Sequence, residues 1–106
     1  MTGTSLVKDA AYKLFFASLS NPNRLIIVNA LRRNKMNVSE ICESTGFEQT
    51  MVSHNLKRLE KCGMVFGEKK GRFKYYQVNH ESIEPILNLI DKHMKRYCCK
   101  VLGKCK

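Results

Sequence analysis

The chain has little acidic charge and lacks the features that mark several large classes of protein. No apolar run approaches the roughly 20 residues that a membrane span needs. The first ten residues, MTGTSLVKDA, have neither the charged start nor the apolar centre of a signal peptide. No glycine-rich phosphate loop is present, and no repeat or linker divides the 106 residues. These absences argue against a membrane protein, a secreted protein and an enzyme, and they predict a single cytoplasmic domain, residues 1–106.

The shortage of acidic residues leaves the chain strongly basic. The chain has nine aspartates and glutamates and 19 lysines and arginines, which gives a net charge of +10. Such an imbalance in a short chain favours a polyanionic partner, either nucleic acid or an anionic membrane surface. Nucleic acid fits better, because no segment is suited to a membrane. The hydrophobic fraction of 43% is ordinary for a globular protein, so we expect a folded chain.

The five cysteines do not form the pattern of a disulfide scaffold. Their number is odd, and two of them, Cys98 and Cys99, are adjacent in the sequence. Neighbouring cysteines rarely bridge each other, and nothing in the chain indicates secretion. We therefore expect reduced thiols in a reducing compartment.

The stretch FEQTMVSHNLKRLEKCGMVFGEKKGR, residues 47–72, has the most informative pattern. Val52, Leu56 and Leu59 recur at helical spacing and predict one buried stripe. The opposite side carries short polar groups near the helix start and a cation later: Gln49, Thr50, Ser53, His54 and Lys57. Such a helix can lay its polar face along a nucleic-acid groove while its apolar back stays on a core, although an ordinary surface helix would show the same pattern.

The remaining segments predict a succession of helices with one hairpin. Residues 5–19 form a first helix whose apolar surface is wide enough to contact a second subunit as well as its own domain. Asn21 and Pro22 open a second helix, and Asn37 opens a short third helix that Gly46 ends. The third helix and the helix near Gln49 form a helix-turn-helix at about residues 38–62.

A β-hairpin and a final helix complete the predicted fold. The segments MVFGEK and FKYYQV are β-prone, and the turn KKGR between them joins them into a hairpin at about residues 64–78, with Gly71 in the turn. Its tip collects Lys69, Lys70, Arg72 and Lys74. Pro85 fits the first turn of a helix that begins at Ser82 better than one that begins at Asn79, so the last helix is predicted at about residues 82–100. The fold class is mainly α with a small β-hairpin, a winged helix-turn-helix.

The segments SLSNPNRL, VSHNLKRLEKCGMV and GRFKYY resemble the ArsR/SmtB family of bacterial and archaeal metal-responsive repressors. The resemblance covers about residues 14–78. It implies a homodimer built on the first and last helices, which agrees with the wide apolar surface of the first helix. It also implies binding to an operator in double-stranded DNA without metal, and release when metal binds. A symmetric dimer would place two reading helices in major grooves about 34 Å apart and would favour an inverted-repeat operator.

The resemblance also assigns the residues that contact DNA. Carried over by position, the groove-reading residues are Gln49, Thr50, Ser53 and His54, with Asn55 and Lys57 nearby. Gln49 suits a paired contact to adenine, and Lys57 suits phosphate or guanine. Lys70 and Arg72 of the wing are expected to contact the DNA backbone beside the minor groove. Glu48 replaces the small residue that usually caps the reading helix, and we expect its side chain to turn away from the phosphates.

Two effector sites known in the family do not fit this sequence well. Asn37 and Ser39 stand where arsenic and cadmium sensors place cysteines on the brace helix, so that site is absent. The zinc site on the last helices would need two acids and two histidines, but the chain supplies His80, Ser82, His93 and Arg96. Only two of these four are ligands, and Arg96 would repel a cation.

The C-terminal thiols are the better candidate for sensing. Cys98, Cys99 and Cys105 provide three soft sulfur donors, which suit As(III) or Sb(III), whereas Zn or Cd fits less well because zinc prefers a fourth donor. Some arsenite-responsive members of the family place a thiolate triad in this region. The ion would be an effector and not an obligatory cofactor. Cys42 and Cys62 are instead predicted to be small buried packing residues.

Other functions remain open at this point. The tail cysteines are also compatible with an oxidation sensor or with a tail that has no role, and the repressor could respond to another ligand. A basic architectural or RNA-binding protein could use the same fold without an operator. If the ion is the effector, its capture is expected to order the tail, shift the dimer contact and change the spacing of the two reading helices.

Overall fold

The computed structural model describes residues 3–103, with side chains from residue 7 onward. The chain is mainly helical with one hairpin, as predicted, and the hairpin follows the helix-turn-helix. In chain order the elements are α1 (Gly3–Ser20), α2 (Pro22–Arg33), α3 (Val38–Thr45), α4 (Gln49–Lys61), β1 (Val65–Lys70), β2 (Phe73–Val78), α5 (Ile83–His93), a π-helical segment (Met94–Cys98) and α6 (Cys99–Leu102). We call α4 the reading helix and the β1–β2 hairpin the wing.

Two side-chain caps and one glycine set three of the predicted helix boundaries. Asn21 Oδ1 accepts a hydrogen bond from the Arg24 amide at 3.0 Å, and Pro22 is the first residue of α2. At α3, Asn37 and Glu40 form a reciprocal capping box with two bonds of 2.9 Å. Gly46 ends α3 with φ 78°, a left-handed conformation that glycine adopts without steric cost. These three predictions are confirmed.

The core lies between α2, α3, the reading helix, the base of the wing and the start of α5. Val52, Leu56 and Leu59 of the reading helix are completely buried, which confirms the predicted stripe. The other members of the buried cluster come from the neighbouring elements: Ile27, Val28, Leu31, Ile41, Met64, Val65, Val78, Ile83 and Leu87. The reading helix is therefore fixed on its apolar side by a close-packed core, which keeps its polar side at a defined position.

α1 contributes little to this core. Among the apolar side chains of α1 that the structure describes, from residue 7 onward, only Phe15 and Leu19 pack against the buried cluster. Four others remain about half exposed or more: Val7 at 70%, Tyr12 at 55%, Leu14 at 49% and Phe16 at 59%. The wide apolar surface predicted from the sequence is thus largely uncovered within one chain.

The wing is a two-stranded antiparallel sheet whose register pairs Val65 with Val78 at the base and Lys70 with Phe73 at the tip. Gly71 and Arg72 form the turn, and Gly71 has φ 62°, the positive value that a two-residue hairpin turn requires. An isolated bridge pairs Met36 with Tyr76 through bonds of 3.1 and 2.8 Å. This bridge, which the sequence pattern did not predict, attaches β2 to the segment before α3.

The last helix begins where the sequence predicted and ends later. α5 starts at Ile83, so Pro85 lies in its first turn. Asn79 does not start the helix; its Oδ1 accepts from the amides of Glu81 and Ser82 in the preceding turn. Helical structure continues to Leu102, beyond the predicted residue 100, and includes a π-helical segment in which the Cys99 amide bonds to the Met94 carbonyl. An i→i+5 bond of this kind inserts one extra residue into a turn, and no simple periodicity reveals it.

Candidate nucleic-acid interface

The polar face of the reading helix is open to solvent. Five of the six residues predicted to contact DNA from this helix are exposed: Gln49, Thr50, Ser53, His54 and Lys57. Their spacing along the helix keeps them on the side opposite the buried stripe. The face offers amide, hydroxyl and imidazole groups toward the helix start and an ammonium group one turn later. These groups can meet base edges and phosphates in a major groove.

Asn55 is the exception, and its assignment to the DNA-contacting set is wrong. Its side chain is 6% exposed. Asn55 Nδ2 donates to the Met51 carbonyl at 3.0 Å, and Oδ1 accepts from Arg24 Nη1 at 3.5 Å. The sequence contained the signal for this placement, because residue 55 lies three after Val52 and four before Leu59 and so belongs to the buried stripe.

Glu48 occupies the N-cap position of the reading helix in an extended conformation, and its side chain makes no capping hydrogen bond. The helix therefore starts without the side-chain cap that stabilises α2 and α3. The Phe47 amide just before it bonds to Thr45 Oγ1 at 3.2 Å, and this bond helps shape the turn between α3 and the reading helix.

The basic tip of the wing lies beside the start of the reading helix. Lys70 and Arg72 are both exposed. Arg72 and Gln49 line one shallow groove together with the beginning of α3. Lys70 Nζ lies 3.8 Å from Glu68 Oε1, and both side chains are more than half exposed, so this pair restrains the lysine only weakly. The wing tip and the reading helix thus form one surface that carries amide and cationic groups.

Lys74 does not belong to the free cations of the tip, although the sequence places it there. Its Nζ lies 3.3 Å from each carboxylate oxygen of Glu60, near the end of the reading helix. The hydrogen bond that Lys74 donates to Glu60 raises the pKa of Lys74 above the ordinary lysine value of 10.5. The ammonium group also lies 5.2 Å from the centre of the Tyr76 ring.

The C-terminal thiols lie at the junction between the π-helical segment and α6. Cys98 is exposed and Cys99 is partly buried. The third predicted ligand, Cys105, lies outside the described residues. Within residues 3–103 no three histidine, cysteine or acidic side chains are grouped closely enough to hold a metal ion. The described part of the chain therefore supplies two soft sulfur donors and leaves the triad a prediction.

The other candidate ligands and thiols have different surroundings. His80 Nδ1 lies 2.8 Å from Glu84 Oε1, and the His93 ring packs 4.9 Å from that of Tyr97. Cys42 and Cys62 are partly buried against the core, which confirms their predicted packing role. Cys62 Sγ also lies 3.4 Å from Ser18 Oγ. Across residues 3–103, no helix has both the length and the apolar character needed to cross a bilayer.

Comparison with known proteins identifies the family. The sequence profile described as "Bacterial regulatory protein, arsR family" matches residues 21–65. The chain is 32% identical over 85 residues to an arsenical resistance operon repressor from Staphylococcus aureus, a match that covers 77% of this chain and 82% of that protein. The chain belongs to the ArsR family. This family comprises DNA-binding transcriptional regulators, so its members are not enzymes.

Further relatives agree with the ArsR assignment in sequence and in shape. The regulator NmtR of Mycobacterium tuberculosis is 34% identical over 71 residues, which is 67% of this chain but only 59% of the length of NmtR. Among solved structures, the homodimeric winged helix-turn-helix DNA-binding domain Mb0332 from Mycobacterium bovis superposes with a TM-score of 0.80 at 24% identity, over 92% of this chain and 94% of that one. The winged helix-turn-helix prediction is confirmed.

The ArsR profile covers only part of the interface just described. Residues 21–65 contain α2, α3 and the reading helix and end at the first residue of β1. The wing, α5 and the C-terminal thiols lie beyond the matched range. The family assignment therefore supports the reading helix directly, whereas the functions of the wing and of the thiols depend on the residues of this chain.

Proposed function

We propose that this ArsR-family chain is a homodimeric repressor that reads an inverted-repeat operator with the polar face of α4 and contacts the DNA backbone with the wing. The observation that carries the proposal is the common surface formed by Gln49 and Arg72 at the start of the reading helix and the tip of the wing. Exposed lysines nearby and the net charge of +10 suit this surface to the phosphate backbone. Base contacts from the helix would supply the sequence preference.

The homodimer is proposed from the uncovered apolar side chains. On the C-terminal helices, Leu89, Met94, Tyr97, Val101 and Leu102 are between 40% and 87% exposed, in addition to the half-exposed apolar groups of α1. Large exposed apolar surfaces on a small chain mark interfaces with other proteins. A second copy that covers α1 and the last helices would bury both sets through one two-fold contact, and the related Mb0332 domain is homodimeric.

The effector that we propose is a thiophilic trivalent ion, As(III) or Sb(III), bound by Cys98, Cys99 and Cys105. Support comes from the two neighbouring sulfur donors at the end of the last helix and from the similarity to an arsenical resistance operon repressor. Because Cys98 and Cys99 lie on the helix that we assign to the dimer contact, capture of the ion would alter that contact. The two reading helices would then lose the separation that the operator requires.

Release of the operator sets a requirement on binding strength. A shift from almost fully bound to almost fully released needs the ion to favour the released form by about 5 kcal/mol. That preference is available if the tail is ordered by the ion and loosely held on DNA. Zinc and cadmium are expected to be poorer effectors, because zinc prefers a fourth ligand that the triad does not supply.

The decisive experiment is a mobility-shift assay on the reduced full-length protein. The DNA probe is an inverted repeat selected by the wild-type protein from a random pool, with a scrambled duplex of the same composition beside it. We expect preference for the inverted repeat and release on addition of arsenite. A variant with Cys98, Cys99 and Cys105 all changed to serine should bind the same DNA and no longer respond to arsenite.

A matched control uses the two packing cysteines. The double variant Cys42→Ser, Cys62→Ser removes thiols outside the proposed site and should still release DNA with arsenite. Release of the triple variant by arsenite would disprove the assigned ligands. Release by peroxide but not by arsenite would indicate an oxidation sensor instead, and equal binding to the inverted and scrambled duplexes would indicate an architectural protein. Absorption by thiolate–metal bonds, followed with arsenite, zinc and cadmium, would rank the ions directly.

A further inference from the structure

The wing is attached to the reading helix by one ionic contact that crosses the face of the sheet. Lys74 of β2 extends over β1 and reaches Glu60, in the last turn of the reading helix, at 3.3 Å. The side chains of Lys74 and Glu60 are 43% and 34% exposed, so the pair is only partly screened by water. It joins two elements that otherwise meet at the base of the wing, where Val65 and Val78 share the buried core with the reading helix.

Gly67 provides the space through which Lys74 passes. A Cβ atom at position 67 would lie 2.2 Å from Lys74 Cε and 3.0 Å from Tyr76 Cε1. Because Lys74 Cε is near the end of a flexible side chain, an alanine at position 67 would push the lysine aside and need not distort the strand. Lys74 can thus lie over position 67 because glycine has no side chain there.

Tyr76 and Met36 hold the base of the wing independently of this contact. Tyr76 is partly buried against the core, and its backbone is bonded to Met36 in both directions. The tip has no comparable attachment, since Lys70 and Arg72 are exposed. A strand pair fixed only at its base can bend along its length. A second attachment at Lys74 therefore restricts the movement of the tip.

We propose that Glu60 and Lys74 form a latch that fixes the angle of the wing relative to the reading helix, and that Lys74 is a positioning residue and not a DNA contact. This inference rests on the proposed DNA-binding function. With the latch closed, Lys70 and Arg72 are held beside the start of the reading helix, where a single duplex can meet both elements. With the latch open, the tip moves independently and its phosphate contacts no longer form together with those of the helix.

A double-mutant comparison tests the latch. The affinity for the selected inverted repeat is measured against salt concentration, since each phosphate contact contributes a slope of about 0.9 in log K against log salt. In the wild-type background, Lys70→Ala removes one phosphate contact from each subunit of the dimer and should flatten the slope by about two units. In the Glu60→Gln background, Lys70→Ala should have almost no further effect, because the wing is already released.

Glu68→Gln is the matched control. It also removes one negative charge, from the carboxylate that lies 3.8 Å from Lys70 at the tip, but it leaves the latch in place. In this background Lys70→Ala should flatten the slope as it does in the wild type. Gly67→Ala opens the latch without changing any charge and should reproduce Glu60→Gln. Exchange of the pair, Glu60→Lys with Lys74→Glu, should restore the effect of Lys70.

The outcomes separate the latch from the function on which it rests. If Lys70→Ala flattens the slope equally in the wild-type and Glu60→Gln backgrounds, Glu60 and Lys74 do not position the wing and the inference is overturned. If the wild type shows no preference for an inverted repeat, the proposed function fails instead. A lower melting temperature alone does not mimic the expected result, because all slopes are measured on folded protein and the exchanged pair restores the contact.

Discussion

The guanidinium group of Arg24 joins the end of α1 to Asn55 in the middle of the reading helix. Arg24 Nε donates to the Ser18 carbonyl at 2.9 Å, and Nη2 donates to the Ala17 carbonyl at 3.1 Å. The remaining nitrogen, Nη1, reaches Asn55 Oδ1 at 3.5 Å. One planar side chain from the first turn of α2 thus bonds to the last turn of α1, whose carbonyls lack helical partners, and to the reading helix.

Replacement of Arg24 by lysine is expected to lower the free energy of unfolding by about 1–2 kcal/mol. A lysine keeps the charge but cannot direct separate donors to two carbonyls and an amide, so part of the network is left unsatisfied. Urea denaturation followed by circular dichroism measures the change. Arg33→Lys, at an exposed position of the same helix, is the control and should alter the free energy by less than about 0.5 kcal/mol. Equal effects of the two variants would show that the network does not stabilise the fold.

Local patterns in the sequence predicted those parts of the fold that depend on neighbouring residues. The caps at Asn21 and Asn37, the stop at Gly46 and the buried stripe of the reading helix each involve residues within one or two turns. These features depend only on the spacing and the type of nearby residues, so the sequence is enough to locate them. The order of the predicted helices and the hairpin then indicated the winged helix-turn-helix.

The contacts that the sequence did not reveal join residues far apart in the chain. The Met36–Tyr76 bridge and the Glu60–Lys74 pair depend on how the wing turns back toward α3 and the reading helix. Lys74 illustrates the difficulty: its neighbours in sequence suggest a free cation at a hairpin tip, whereas its side chain extends past Gly67 and reaches the carboxylate of Glu60. Asn55 is a different case, because its spacing from Val52 and Leu59 indicates the buried stripe, whereas the family resemblance put it near the DNA-contacting residues.

Substitution of Gly46 by alanine should cost about 1 kcal/mol in the free energy of unfolding. Gly46 has φ 78°, and no atom lies within 4 Å of the position a Cβ would occupy, so the cost arises from backbone conformation alone and not from a clash. Ser44→Ala, at an exposed position of α3, is the control and should change the free energy by less than about 0.5 kcal/mol. A neutral Gly46→Ala would mean that the end of α3 readjusts without strain.

Gln49→Ala is expected to reduce sequence preference and not affinity in general. The exposed amide can pair with one base, so its loss should remove about 1–3 kcal/mol of discrimination at a single position of each half-site. Competition binding with operators changed at one base pair at a time measures the effect. Lys70→Ala provides the contrast, since loss of a phosphate contact should weaken all these operators alike. A uniform loss with Gln49→Ala would place this residue on the backbone of the DNA.

The Glu60–Lys74 pair should make a contribution to stability that disappears at high pH. The hydrogen bond that Lys74 donates to Glu60 raises the pKa of Lys74 in the folded protein above 10.5, the ordinary value that applies in the unfolded chain. The folded state therefore holds the proton more tightly, and the resulting stabilisation is fully present below 10.5 and is lost as the pH rises through the higher folded value. The difference in unfolding free energy between the wild type and Lys74→Gln should accordingly stay constant from about pH 7 to 10 and shrink above that range. In a Glu60→Gln background the same comparison should show a smaller decline, because the carboxylate that contributes most to the raised pKa of Lys74 is gone. A difference that remains constant to the highest pH at which the protein folds would show that the pair is not formed in solution.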